Sequence, residues 1–577
     1  MVAVHHRLVS VAFLGLAVFL NVAGQDRAAR QNSLFAPFAS PTGIVEKQKL
    51  SPAGMAELRI ILETGYLAEL RWPDFKDRRA DVIKFYDLNG LALAWVRANC
   101  ATPAALALIA NFENADAKGL QPEDYDASRW RERLAELYST ILPEQEVVRF
   151  DVAVTVSAMR YLSDLRVGRV NPRQFRFGFD LEKKRCDLAE FLYKRVLDSD
   201  DIAVALSELE PPFAAYHRTQ RTLERYIRLD RENHLEPLPT VKTPIQPGDV
   251  YPDLARLARL LQLLGDLPAD VAVAEDSVYQ GPLVDGVKQF QGRHGLEPDG
   301  VINQRTVQEL NTPLIQRVRQ LQLTLERWRW IPHEFAQPPV VVNIPEFRLR
   351  ALNEDYEPVL MTNVVVGKAY RHRTPVFARA MKQVIFRPYW NVPPSITRAE
   401  LIPDIQRDRR YLAKHGYEMV AADGRIVDPE MVSDQILQQL RSRRLRVRQR
   451  PGENNALGLV KFVFPNEHDV YLHSTPVQSL FSKPRRDFSH GCIRVERAEE
   501  LANWVLRNQD GWTPERIRDA MNGEGTVQIN LDKPIPVLIV YSTAVVLANG
   551  EVHFFNDIYG YDAALERMLA QSYPYPN

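Results

Sequence analysis

The hydrophobic pattern changes period near residue 338, and that change sets the fold class. Upstream, AELRIILETGYLAEL (56–70), EVVRFDVAVTVSAMRYLSDL (146–165) and RVRQLQLTLERWRWIP (317–332) carry apolar residues three and four apart, the spacing of amphipathic helices. Downstream, PPVVVNIPEFRLRALN, MTNVVVGKAYRHRTPVF, MKQVIFRPYWNVP and HDVYLHSTP are rich in β-branched and aromatic residues and alternate in places, as strands do. A helical, Arg-rich stretch at about 395–450 interrupts the strands. At 577 residues the chain exceeds what one hydrophobic core holds. The expectation is a multidomain α+β protein.

Segment boundaries follow from composition. Residues 25–55 mix small and polar residues without periodicity and read as a flexible tether. Residues 56–235 form a helical scaffold domain. The loop LSDLRVGRVNP (162–172) reads as structural. EPLPTVKTPIQPGDVYPD (236–253) holds five prolines and reads as an extended linker. Residues 254–312 form a small helical unit: LARLARLLQLLGDL is one amphipathic helix, Pro282 to His294 a second ending at Gly295, and Asn303 caps a third after the Pro-Asp-Gly turn. Residues 313–337 are a connecting helix, 338–545 the β-dominated domain, and 546–577 a C-terminal extension.

The N-terminus points out of the cytoplasm. His5, His6 and Arg7 precede an apolar run from Leu8 to Gly24 that ends in small residues, the form of a signal peptide (1–24). Cleavage after Gly24 or retention as an anchor both export the rest of the chain, and a membrane is a partner only if the segment is kept. Of the three cysteines, Cys100 and Cys186 have the option of pairing, and at least one thiol stays free. Lys+Arg and Asp+Glu are equal at 73 each, so nothing draws the chain to nucleic acid. The run RSRRLRVRQR (441–450) reads as a solvated helix face or as a cap contacting carboxylates.

Chemistry concentrates in residues 468–506. Val470 and Leu472 alternate with Tyr471 and His473, so a strand delivers His473 to its end. Ser489-His490-Gly491-Cys492 follows a polar loop, and apolar residues at helical spacing start a helix near Glu496. Cys492 therefore sits in a turn. The helix end, a neighbouring imidazole, and Arg485, Arg486 and Arg494 would all favour its thiolate. Gly491 permits close backbone approach, and free N–H groups in the turn suit an oxyanion. His473 and His490 both compete as base, and local spacing does not choose between them. His468, His473, His490 and Cys492 lack the paired spacing of zinc ligands, so neither metal nor cofactor is expected.

H-S-T-P, with fifteen residues between its His473 and Ser489, then S-H-G-C-I-R resembles the catalytic signature of the L,D-transpeptidases. The resemblance implies that Cys492 is the nucleophile and His473 the general base. It implies further that the Ser474 carbonyl orients the imidazole and that His490 and Gly491 shape the nucleophile turn and oxyanion region. Arg494 would hold a substrate carboxylate, or pair with Glu496 or Glu499. LRVGRVNP, YWNVPPSIT (389–397) and PGENNALGLVKFVFPN (451–466) resemble the long, multidomain subgroup, which has a helical scaffold, a peptidoglycan-binding module and a capped catalytic domain. Tyr389 and Trp390 in that segment line the substrate groove or belong to the core. Residues 279–311 resemble the three-helix peptidoglycan-binding module. Ser474 departs from the acidic residue that close members often carry.

The implied activity is 3→3 cross-linking of peptidoglycan stem peptides through a Cys492 thioester with release of D-alanine, in the periplasm or cell envelope. The thioester route implies inactivation by carbapenems. Alternatives within the same chemistry are an L,D-carboxypeptidase or a lipoprotein-attaching enzyme. Outside it stand a wall-peptide cysteine hydrolase and a non-catalytic scaffold. Expected partners are stem peptides, glycan and other wall-synthesis enzymes.

Overall fold

A computed structural model describes residues 49–577 except 140, 234–235, 273–277, 431, 572 and 576–577. The signal segment and most of the tether lie outside the described residues. Among the described residues, no helix is long and apolar enough to cross a membrane.

The helical domain is built around α1 (Glu144–Val167), which is buried from Val147 to Leu165 except at Arg149. Helices Pro52–Thr64, Arg79–Leu88 and Pro103–Glu113 pack on it. A charged group on a helix surrounded this way is costly unless it is paired, and Asp151 is. It accepts the backbone N–H groups of Ala94 and Trp95 and the Tyr86 hydroxyl. The helix Pro52–Thr64, capped by Ser51, takes in the last residues of the segment read as tether. Cys100 and Cys186 are both free and exposed rather than paired.

The loop LRVGRVNP ends α1 and ties it to the rest of the chain. α2 (Ala214–Glu232) packs along the connecting helix, whose ordered span is Leu314–Trp328. On that connecting helix Glu326, fully buried, accepts the N–H groups of Arg169 (2.5 Å) and Val170 (3.1 Å). Its second oxygen takes the Arg169 side chain at 3.3 Å, with Arg329 at 3.7 Å.

Three helices, Leu254–Leu264, Pro282–Arg293 and Gln304–Leu310, form the small unit, and the Asn303 side chain accepts the Thr306 N–H as its cap. The proline-rich segment before it is not an extended linker. Ile245 bridges to Ile302, Val250 to Val278, and Leu238 exchanges two hydrogen bonds of 2.8 Å with the Asn311 side chain. Prolines exclude helix there, but the apolar residues between them dock as an edge.

The catalytic-region sheet has nine strands: β1 (Val340–Asn343), β2 (Arg348–Leu352), β3 (Pro358–Gly367), β4 (Phe377–Phe386), β5 (Val460–Val463), β6 (Leu472–His473), β7 (Asp487–Ser489), β8 (Ile493–Val495) and β9 (Val527–Val540). Their order is β7-β3-β8-β6-β5-β4-β9-β1-β2, and a further β2–β3 pairing closes the sheet on itself.

The insertion is not purely helical. It has its own apolar core and a four-stranded antiparallel sheet ordered Trp390–Asn391, Leu445–Gln449, Tyr417–Ala421, Ile426–Val427. The Arg-rich run is correspondingly a strand over Leu445–Gln449, not a helix face: Leu445 and Val447 turn inward while Arg446 and Arg448 alternate outward. Arginine content masked a period of two. The C-terminal extension also folds. Strands Ala544–Val546 and Val552–Phe554 pair, helix Tyr561–Leu569 follows, and the Tyr573 and Tyr575 hydroxyls donate to Asp77 and Asp124 of the helical domain.

Glu326→Ala strands two buried arginines. It is expected to lower unfolding stability by about 3–5 kcal/mol, read from urea denaturation. A loss below about 1 kcal/mol would show that the loop does not depend on this carboxylate.

Candidate active site

Register builds the site. On β6, Leu472 lies beside Ile493 of β8, and both are 0% exposed. Since side chains alternate, the next residue in each strand faces the other way. His473 therefore stands between Lys461 of β5, its antiparallel partner, and Arg494 of β8, its parallel partner. Tyr471 and Cys492, each two residues earlier, join the same face. The Tyr471 and His473 rings are 5.7 Å apart.

His473 is buried, and its Nδ1 lies 2.6 Å from the Ser474 carbonyl. A carbonyl only accepts, so Nδ1 carries the proton and Nε2 is left as the basic nitrogen. Burial first, and then the Arg494 charge, push the imidazole down to about 3, against the Ser474 and Leu457 carbonyls. The ring is thus neutral at any ordinary pH. The Ser474 hydroxyl oxygen accepts the Leu459 N–H (2.7 Å) and Val460 N–H (3.2 Å). An added Cβ at Gly458, where φ is +62°, would fall 2.1 Å from that oxygen. Orientation of His473 here comes from the main chain, while the serine side chain braces the preceding turn.

The nucleophile turn is held from three sides. Gly491 has φ +118°, outside the reach of ordinary side-chain-bearing residues. Its carbonyl accepts the Thr374 hydroxyl at 2.8 Å, and the Ser489 hydroxyl donates to the Cys492 carbonyl at 2.5 Å. Gly491 N–H is itself used by the Ser489 hydroxyl oxygen (3.1 Å), so it is not a free oxyanion donor. The Cys492 N–H makes no hydrogen bond among the described residues. His490 does not face the thiol: its Nε2 meets Glu400 Oε1 of the cap at 2.6 Å, and its ring lies 4.8 Å from that of His372. The cap is thereby fastened to the nucleophile turn, beside a π-helical turn at Thr397–Leu401.

Cys492 is half-buried. Its Sγ donates to the Asp469 carbonyl at 3.7 Å, and among the described residues it has no hydrogen bond to His473. Burial pushes the thiol up from 9.0, opposed by hydrogen bonds from Tyr471 and by the Lys461 charge. The sequence-based expectation of a favoured thiolate is therefore reversed in this state. Arg485 is neutralised by Asp487 at 2.6 Å, and Arg486 is spent on the carbonyls of Val364, Lys483 and Phe347. The following helix, Ala498–Val505, starts near Glu496 as expected, with β8 lying between it and Cys492. Arg494 forms no ion pair among the described residues: Glu496 accepts the Asn363 amide instead, and Glu499 lies 4.0 Å from Arg518.

Lys461, Tyr471 and Thr374 escaped the sequence reading. Lys461 Nζ sits 3.8 Å from the centroid of the Tyr471 ring, and burial first, then the neighbouring Cys492, push the Tyr471 hydroxyl well up. Only Tyr471, two residues before His473 on one face, left a sequence signal. Trp390 is half-buried between the cap core and this hydroxyl, whereas Tyr389 is 37% exposed under the Arg448 guanidinium at 4.2 Å. A cavity of about 420 Å³ lies elsewhere, lined by Phe213, Trp328, Val341 and Val540 among others, and none of the motif residues reaches it. Among the described residues, no three His, Cys, Asp or Glu side chains converge to hold a metal ion.

A thiol and a neutral imidazole on neighbouring strands, with a free N–H at the thiol's own residue, are the parts of acyl transfer. Residues 338–536 match the family model of the "L,D-transpeptidase catalytic domain". The chain carries an L,D-transpeptidase catalytic domain. Residues 251–310 match the "Putative peptidoglycan binding domain" and 80–223 the "Scaffold domain" ahead of this transpeptidase domain. A "Putative L,D-transpeptidase" of Haemophilus influenzae is 34% identical over 244 residues, 42% of this chain. The match spans 48% of that relative, about half its length. The solved L,D-transpeptidase (residues 123–326) of Xylanimonas cellulosilytica is 17% identical, with a TM-score of 0.17 over 53% of this chain and 100% of that one.

With its thiol raised by burial, Cys492 is expected to alkylate with iodoacetamide at a rate still climbing past pH 9, followed by peptide mapping. A plateau below pH 7 would instead reveal a preformed thiolate–imidazolium pair.

Proposed function

We propose that the chain is a peptidoglycan L,D-transpeptidase forming 3→3 cross-links through a Cys492 thioester. The observation that supports this reading best is the His473 tautomer. With Nδ1–H given to the Ser474 carbonyl, Nε2 is left to take a proton on the face that Cys492 shares. Rotation of the thiol from the Asp469 carbonyl toward His473 begins the reaction. Sγ attacks the L-centre carbonyl of the third, diamino-acid residue of a tetrapeptide stem as its proton passes to Nε2. The C–N bond breaks, and the same proton goes to the leaving D-alanine amine. A side-chain amine of a second stem then attacks the thioester, gives its proton to Nε2, and the thiolate recovers a proton as it leaves. The Cys492 N–H stabilises both oxyanions.

A bare site with a raised thiol and a depressed imidazole has little driving force for proton transfer, so reactivity arises with substrate in place. The peptidoglycan-binding module would hold the polymer near the site. An envelope location with export by the N-terminal segment agrees with this substrate, as does a role in wall biogenesis and cell shape.

Incubation with disaccharide-tetrapeptide is expected to yield a dimer equal to two substrates minus one D-alanine, detected by mass spectrometry and absent with Cys492→Ala. Tripeptide monomer alone would make the chain an L,D-carboxypeptidase. Peptidoglycan binding without either product would favour the scaffold reading.

A further inference from the structure

Lys461, His473 and Arg494 stand in one row across β5, β6 and β8. Directly opposed residues in such a row share a face, with Cβ atoms about 5 Å apart. Both cations are half-buried, and among the described residues neither forms an ion pair or a hydrogen bond. Lys461 rests on the Tyr471 ring and feels Cys492 and then, from beyond ion-pair range, the Asp469 carboxylate, but no anion pairs with it. Four other arginines of the domain have carboxylate partners: Arg350 with Glu346, Arg379 with Glu467, Arg448 with Glu418 and Arg497 with Glu500. Two partly desolvated cations on either side of a neutral base are costly unless an anion arrives between them.

The reaction geometry says which anion. His473 must reach the nitrogen of the residue being released, and that residue's own carboxylate is attached through a single carbon to the same nitrogen. It therefore lies against the imidazole, where Lys461 and Arg494 flank it. We propose that Lys461 and Arg494 clamp the free carboxylate of the leaving residue, so that a stem is accepted only where the residue to be released is its last. The inference rests on the transpeptidase reading and adds Lys461 as a substrate-binding residue. It also accounts for activation by substrate. The two cations help hold the imidazole neutral, and a carboxylate bound between them offsets their charge just as His473 must accept a proton.

Binding separates this proposal from the reaction itself. Two stems, a tetrapeptide ending in D-alanine and the same stem ending in D-alaninamide, are titrated into the full Cys492→Ala chain by calorimetry. The free acid is expected to bind at least about tenfold more tightly. Adding Lys461→Gln or Arg494→Gln should shrink that preference to about twofold or less, leaving the affinity for the amide unchanged, while Arg494→Lys retains part of it. Equal binding of the two stems, no binding of either, or a Gln variant that weakens both alike would overturn the clamp. A retained preference in a chain whose Cys492-bearing form makes no product would instead overturn the transferase reading and leave the clamp standing.

Discussion

The site depends on the register of a two-residue strand. Leu472 must face the core beside Ile493 for His473 to face outward between Lys461 and Arg494. A slip of one residue would exchange the sides of the sheet that the imidazole and Leu472 occupy. So short a strand cannot fix its own register; the neighbours on both sides do it, with Ser474 bracing the turn into β5 and the Asn466 side chain pinning Val470. The nucleophile is placed by the same logic, since Ile493 N–H pairs with the Tyr471 carbonyl and sets Cys492 beside the Tyr471 ring.

Around this row the molecule is joined by buried charged contacts. Glu326 couples the scaffold loop to the connecting helix, Arg293 reaches from the small helical unit to the Val552 carbonyl, and the final tyrosines dock on the helical domain. The cap is fastened differently, by the part-exposed Glu400–His490 pair at the nucleophile turn. Glu400 thereby ties the cap to a residue flanking Cys492, whereas the row across the sheet is held by its ladder.

Much of this was legible in the chain. Period changes marked the helical and β regions, Asn303 announced its cap, and the motif spacing singled out His473 and Cys492, which the fold brings to neighbouring positions. Other features had no local signal. Lys461 and Thr374 come to the site only through strand pairing, which a single sequence does not display. The inserted sheet was hidden because Arg446 and Arg448 made an alternating strand resemble a charged helix. Prolines in 236–253 implied an open linker, although Leu238, Ile245 and Val250 bind it to the neighbouring unit. Thiol acidity was misjudged because sequence proximity counted Arg485 and Arg486, which the fold commits to Asp487 and to main-chain carbonyls.

The central claim is covalent: the stem passes through Cys492, with the proton moved by His473. Intact-protein mass spectrometry of the chain, quenched in acid during turnover of a tetrapeptide stem, tests it most directly. The account predicts a transient species heavier by the stem less D-alanine and less the thiol hydrogen it displaces, mapping to the peptide that carries Cys492 and disappearing as acceptor is added. Product formation with no such adduct, or an adduct on Cys100 or Cys186, would contradict it.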